Sequence, residues 1–263
     1  ALGAQVDTHY NTAIGNSALI VAIASNNTAV GYTALTGNTT GYDNTYVGKG
    51  AGDSVTTGYA NTGIGANAGG GVSTAIHNIA IGSGAATGSN GNYNITMSYG
   101  ALASLGTAQQ NIGIGFRTGE STNRNSNTLV GVYAARYPMV TQCVAIGNSA
   151  MYGVSDSTAD VDFCTAVGNS ALYGITTGDN NTALGYKAGE VATTGSNNLF
   201  LGVEAGLTGS PGGAITTGSN EVCIGDENIT EAHIQVDWTI ASDARDKTDV
   251  EDLSIGLDFV KQL

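Results

Sequence analysis

The sequence predicts an all-β chain, a repetitive β-solenoid or β-roll fibre that is trimeric and ends in a short helical segment. Three observations carry this. A five-residue motif, Asn, small or polar, small, Ile/Val/Leu, Gly, opens at Asn11-Thr12-Ala13-Ile14-Gly15 and returns through thirteen copies to Gly225. The copies recur about every 17 residues, with insertions at 153–163 and 207–219, and a fixed period of this length is the mark of stacked repeats. The 263 residues include 40 Gly and 2 Pro with 11% charged residues, less than half the roughly 25% of an ordinary soluble domain.

Each repeat element follows in order. The ladder Asn stands first, at Asn11, Asn27, Asn44 and Asn61 among others, and stacking predicts a column of amide hydrogen bonds that satisfies an otherwise buried polar group. The apolar position before Gly, from Ile14 and Val30 to Ile224, is uniform and predicts one shared environment, buried once copies stack. A small residue follows three places after the Gly, as at Ala18, Ala34, Ala51 and Ala68. The turn Thr-Thr-Gly-x-x-Asn closes several repeats, at 39–44, 56–61, 176–181 and 193–198, where Gly supplies positive φ. Seventeen residues leave room for two short strands and two turns. Thirteen coils at about 4.8 Å each make a rod roughly 60 Å long. So thin a coil has little core of its own, which predicts association, a homotrimer about the fibre axis.

Composition excludes several classes. Gly does not fall at every third position, so collagen is excluded, and 41% apolar residues spread evenly argue against a disordered chain. The longest apolar run, Ala18 to Ala24, is far short of the about 20 residues of a membrane span, and no signal-peptide pattern opens the chain. The first residue is not Met, which points to a further N-terminal part. The net charge of −13 is uneven: residues 1–220 hold 10 acids and 5 bases, residues 221–263 hold 11 acids and 3 bases. Neither part clusters Lys and Arg as nucleic-acid binding requires.

Beyond the repeats, residues 226–241 form a junction. His233 to Ile240 alternates apolar and polar residues as a half-buried strand does, with Trp238 as junction packing or, less readily, a glycan platform. From Ser254, Leu257, Phe259 and Val260 suggest a short amphipathic helix.

The repeats over 11–225 resemble the NTAIG-type repeats of phage tail-fibre and spike proteins, and more distantly the β-roll heads of trimeric autotransporter adhesins. The segment Ser242-Asp243-Ala244-Arg245-Asp246-Lys247 resembles the Ser-Asp-x-Arg-x-Lys opening of the peptidase S74 family, and 242–263 would be the start of that domain. This second resemblance implies an intramolecular chaperone that trimerises, drives folding of the fibre ahead of it and cuts itself off. It implies Ser242 as nucleophile and Lys247 as general base, with Asp243 and Arg245 as motif residues. Read without the resemblance, Ser242 caps a turn and Lys247 pairs with a neighbouring acid.

The resemblance therefore divides the chain into a fibre over 1–225, a junction over 226–241 and a chaperone start over 242–263. It implies a virion protein, made in the host cytoplasm, that presents host-surface contacts. Its partners would be copies of itself, a cell-surface glycan or protein, and other tail proteins through the N-terminal part. The alternatives are a bacterial adhesin and a glycan depolymerase spike. Receptor contacts are expected on loops and insertions, with Tyr42, Tyr59, Tyr93 and Tyr152 as candidates, although Tyr42 and Tyr59 share a phase that equally suits turn packing.

Other chemistry is sparse. Cys143 and Cys164 replace the ladder Asn in consecutive copies and are expected as buried free thiols, with Cys223 in the core. His9, His77 and His233 lie too far apart in register for a metal site, and the insertion with Asp156, Asp160 and Asp162 reads as a solvated loop. Asp43, Asp53, Glu120, Glu190 and Glu204 occupy scattered phases, so no paired carboxylates for glycan hydrolysis are visible and no cofactor is called for.

Overall fold

A computed structural model describes residues 10–154 and 159–233. The repeats lie in one compact unit, Ala1–Ile229, and Thr230–Leu263 is a second. The thirteen motif copies become thirteen strands of three residues: β1 Thr12–Ile14, β2 Thr28–Val30, β3 Thr45–Val47, β4 Thr62–Ile64, β5 Ile79–Ile81, β6 Ile95–Met97, β7 Ile112–Ile114, β8 Thr128–Val130, β10 Val144–Ile146, β12 Thr165–Val167, β13 Thr182–Leu184, β14 Leu199–Leu201 and β15 Val222–Ile224. They form a single sheet in chain order, every pair parallel. Register is strict: Thr12, Ala13 and Ile14 pair with Thr28, Ala29 and Val30, and the pattern repeats to Leu201 opposite Ile224. Among the described residues there is no helix.

The expectation of two strands per coil is corrected. Among the described residues a second sheet is confined to β9 (Met139–Thr141) and β11 (Asp160–Asp162), and one isolated parallel bridge joins Ser89 to Gly106. Elsewhere the returning segment is a stacked turn. The carbonyl of Thr56 collects the N–H groups of Thr39, Thr40 and Gly41 at 2.9, 3.2 and 3.3 Å, a converging geometry that a strand ladder does not have. The insertion at 153–163, expected as a solvated loop, contributes β11 and buries Val161.

The interior is built from alternation along each strand. The ladder Asn and the middle strand residue point inward; the first and third strand residues point out. The inward middle positions vary from Gly63 and Gly113 to Tyr46, Leu129 and Phe200, and their volumes interlock. A Cβ on Gly63 would sit 2.2 Å from the Tyr46 ring, and one on Gly206 would sit 2.5 Å from Phe200. Burial pushes the Tyr46 hydroxyl well above its ordinary pKa. The small row three residues after Gly is fully buried from Ala18 to Ala205.

This alternation overturns one expectation. The aliphatic residue before Gly does share one environment along the stack, but that environment is the outer face of the sheet. Ile14, Ile64, Ile114, Ile146, Leu184 and Ile224 are all exposed. Asn, two residues earlier than the middle position, must face inward to reach its ladder partners, and the period of two then sends Ile outward.

The Asn column runs through the stack. Asn27, Asn44, Asn61, Asn78, Asn94, Asn111 and Asn127 each donate their backbone N–H to the side-chain oxygen of the preceding ladder Asn at 2.8–3.1 Å. The column then passes through sulfur. Cys164 N–H donates to Cys143 Sγ at 3.3 Å and Asn181 N–H to Cys164 Sγ at 3.2 Å, before Asn198 and Glu221 resume the amide pattern. Both cysteines are buried and free, as is Cys223. The hydrogen bond with Cys164 and then burial push the Cys143 thiol up.

Turn geometry carries strain. The motif Gly has a φ near +137° in most copies; a Cβ on Gly48, at +145°, would lie 2.3 Å from the Gly65 carbonyl oxygen. In the sixth copy this position is Ser98, which holds φ +105° without the freedom of glycine. The fourth residue after Gly is left-handed even where it is Leu, as at Leu19, Leu35, Leu102 and Leu172, each with φ 45–50°.

Candidate functional site

Because the strands are invariant in shape, variation falls on the turns, and the turns stack their side chains into columns. Tyr42 and Tyr59 lie face to face, ring centroids 4.7 Å apart and planes 5° from parallel. His77 meets Tyr59 edge-on at 5.6 Å and stacks on Tyr93 at 5.4 Å. Three of the four predicted contact tyrosines therefore join one column, with His77 between them. Tyr152 belongs to another, stacked on Tyr173 at 5.0 Å and edge-on to Tyr133 and Tyr137. Tyr99 and Phe116 stack at 5.7 Å, and Phe116 meets Tyr133 edge-on at 5.4 Å, continuing that column toward the N-terminus.

This stacking decides what the columns offer. Where rings stack face to face, as Tyr42 on Tyr59, His77 on Tyr93 and Tyr152 on Tyr173, the joined faces are closed to a sugar.

The second column contains a cation that sequence reasoning did not single out. Arg136 lies 4.7 Å from the ring centroids of both Tyr133 and Tyr137. Its Nε donates to Glu120 at 2.7 Å and its Nη1 to the Tyr152 hydroxyl at 3.3 Å. Burial works against its charge, but the bonds to Glu120 and Tyr152 more than offset it and hold the guanidinium above its ordinary value. Arg117 reaches the same Glu120 at 3.6 Å. The signal lay in the period: Arg136 and Glu120 are 16 residues apart, one coil, so they had to stack.

An open polar groove of about 450 Å³ lies beside Gln109, Asn123, Arg124, Asn125 and Thr141. Arg124 ties it to the insertion through Asp160 at 2.9 Å. Of the scattered acids, Glu120 pairs with Arg136 and Glu190 with Lys187. Among the described residues no group of three or more His, Cys, Asp or Glu is placed to hold a metal ion, and no helix is long and apolar enough to cross a membrane.

Ser242, Asp243, Arg245 and Lys247 lie outside the described residues, as do His9, Asp156, Trp238 and the helix expected from Ser254. Comparison with family models, with curated proteins and with solved structures found no match.

Proposed function

We propose that the chain is the shaft of a trimeric virion fibre, a tail fibre or spike that presents host-surface contacts on its turns, followed from Ser242 by a chaperone of the peptidase S74 type. The observation that supports this best is the division of labour within the coil. Thirteen strands keep one register and one shape, while the turns beside them carry the aromatic columns, Arg136 and the insertion with Asp160. A rigid scaffold with variable loops is how surfaces for recognition are built.

In this reading the contacts on the host surface are polar, made by Tyr hydroxyls and by the groove beside Arg124, and the ligand is a glycan or a glycosylated protein. Any cleavage by the Ser242 and Lys247 pair is a single event on its own chain. Immunogold labelling with antibody raised against the repeat region tests the assignment. Label on phage particles is expected; label on the bacterial cell envelope in uninfected culture would reassign the chain as an adhesin. Release of reducing ends from host polysaccharide by the purified chain would instead make it a depolymerase.

A further inference from the structure

Two of the ladder positions carry cysteine, and they are consecutive: Cys143 and Cys164. Paired parallel strands flank both. Met139–Thr141 pairs with Asp160–Asp162 just before the two residues, and Val144 pairs with Thr165 directly after them. The two backbones are therefore held level on either side. At a strand spacing of about 4.8 Å the two Cα atoms fall inside the roughly 4.4–6.8 Å that a disulfide spans. We propose that Cys143 and Cys164 are a redox pair, closed to a disulfide by a peroxide, that links two coils and locks the long repeat between them.

The sulfurs are close to the required arrangement. Cys143 Sγ points along the stack and accepts the Cys164 N–H at 3.3 Å. Cys164 Sγ donates to the Gly178 carbonyl at 3.3 Å, and turning it about its Cα–Cβ bond toward Cys143 brings the sulfurs together. Oxidation removes only weak S–H donors, which meet the carbonyls of Thr141 and Val161 at 3.4 Å each and that of Gly178. Its cost falls on the Asn181 N–H, which gives up Cys164 Sγ as an acceptor at 3.2 Å. Against that weak bond stands the closure of residues 144–163 into a loop, which restricts the unfolded chain.

The two thiols differ in acidity. The hydrogen bond with Cys143 and the Asn181 N–H outweigh burial and hold the Cys164 thiol below its ordinary value, whereas the hydrogen bond with Cys164 and burial push Cys143 up. Cys164 is thus the nucleophile and Cys143 the resolving thiol. The Cys164 thiolate attacks one oxygen of hydrogen peroxide, the O–O bond breaks, and the sulfur becomes a sulfenic acid. The departing hydroxide takes up the proton that Cys164 shed. Cys143 sulfur then attacks Cys164 sulfur, the S–O bond breaks, and hydroxide leaves as water with the Cys143 proton. Two thiols have lost two electrons, and one peroxide has become two waters.

Cys223 is outside this chemistry. Its register partner is Phe200, and its sulfur accepts the Gly206 N–H at 3.1 Å. On the fibre reading, a chain assembled in a reducing cytoplasm closes the bond once the particle leaves it. The chemistry does not rest on that reading and is measured on the purified chain.

The full chain is reduced, treated with hydrogen peroxide while folded, then unfolded and alkylated with iodoacetamide. Mass spectrometry should show one alkylated cysteine, Cys223, and the Cys143 and Cys164 peptides joined within one chain, a loss of two hydrogens that dithiothreitol reverses. Dimedone, which traps sulfenic acid, should label Cys164 in Cys143→Ser and leave Cys143 largely unlabelled in Cys164→Ser. The oxidised chain should unfold at a higher guanidinium concentration than the reduced one. Cys143→Asn with Cys164→Asn, which restores the usual ladder residue, should not respond to peroxide. Three alkylated cysteines, a link to Cys223 or between chains, sulfonic acid in place of the bond, dimedone preferring Cys143, or an oxidised chain no more resistant than the reduced one would each overturn the proposal. Should the variants fail to fold, the wild-type masses and unfolding curves decide alone.

Discussion

The side-chain oxygen of Asn61 accepts both the backbone N–H of Asn78 at 3.0 Å and its side-chain amide at 3.2 Å, while the Asn61 amide donates to the Ala75 carbonyl at 2.8 Å. One side chain thus stitches its own coil closed and joins it to the next. All of this happens in a buried site, where unpaired donors and acceptors have no water to fall back on.

Asn61→Ala should therefore be far more damaging than its size suggests. It leaves the Asn78 N–H and the Ala75 carbonyl buried without these partners, a cost of about 3 kcal/mol at roughly 1–3 kcal/mol per orphaned group. Chemical denaturation of the full chain reads the loss; a change below about 1 kcal/mol would mean the column is not a structural element.

Ser98→Gly should stabilise. Ser98 holds φ +105° in a row where the other twelve copies carry Gly, and a left-handed or more extreme φ costs a non-glycine residue about 1–2 kcal/mol. A rise in the thermal midpoint is expected, reduced somewhat by the greater freedom of Gly in the unfolded chain. A fall would show that the Ser98 side chain contributes more than its backbone strain costs.

Thr96→Val should also stabilise, by about 1 kcal/mol. Thr96 occupies an inward middle position, is fully buried, and its hydroxyl has no hydrogen-bond partner. Val keeps the shape and the β-branch while removing the unpaired group. Thermal unfolding of the single variant checks it.

Tyr46 predicts a pH dependence. Its folded pKa is raised by burial, so the stability it contributes is intact below the unfolded value of about 10 and is lost as pH rises from there toward the folded value. Wild type should weaken on the alkaline side more steeply than Tyr46→Phe, by up to about 1.4 kcal/mol per pH unit. Parallel denaturation curves for the two proteins between pH 8 and 11 would contradict this.

The thirteen strands, their register and the Asn column were legible because each is a direct consequence of the period. Stacking places residues one repeat apart side by side, so Asn44 meets Asn61 and Cys143 meets Cys164 whatever the details of the coil. The outward facing of Ile is not legible from hydrophobicity, which does not by itself mean burial. Asn11 and Ala13 fix the inward side, and alternation then leaves Thr12 and Ile14 outside. The second strand was overestimated because composition does not distinguish a strand from the stacked Thr-Thr-Gly turn, whose N–H groups converge on one carbonyl. Tyr42 and Tyr59 share a phase that the sequence displays, whereas the column of Tyr152 with Tyr133, Tyr137 and Tyr173 depends on turn geometry that differs between coils.

The central claim is that each repeat is one coil of a parallel stack, and a distance along that stack tests it most directly. Thr57 and Thr177 occupy the same exposed turn position seven strands apart, before Asn61 and Asn181. Spin labels on Thr57→Cys and Thr177→Cys, in chains diluted with unlabelled protein, should give by pulsed electron spin resonance one narrow distance centred near 34 Å, seven steps of about 4.8 Å. A broad distribution, or a separation well below 25 Å, would contradict it.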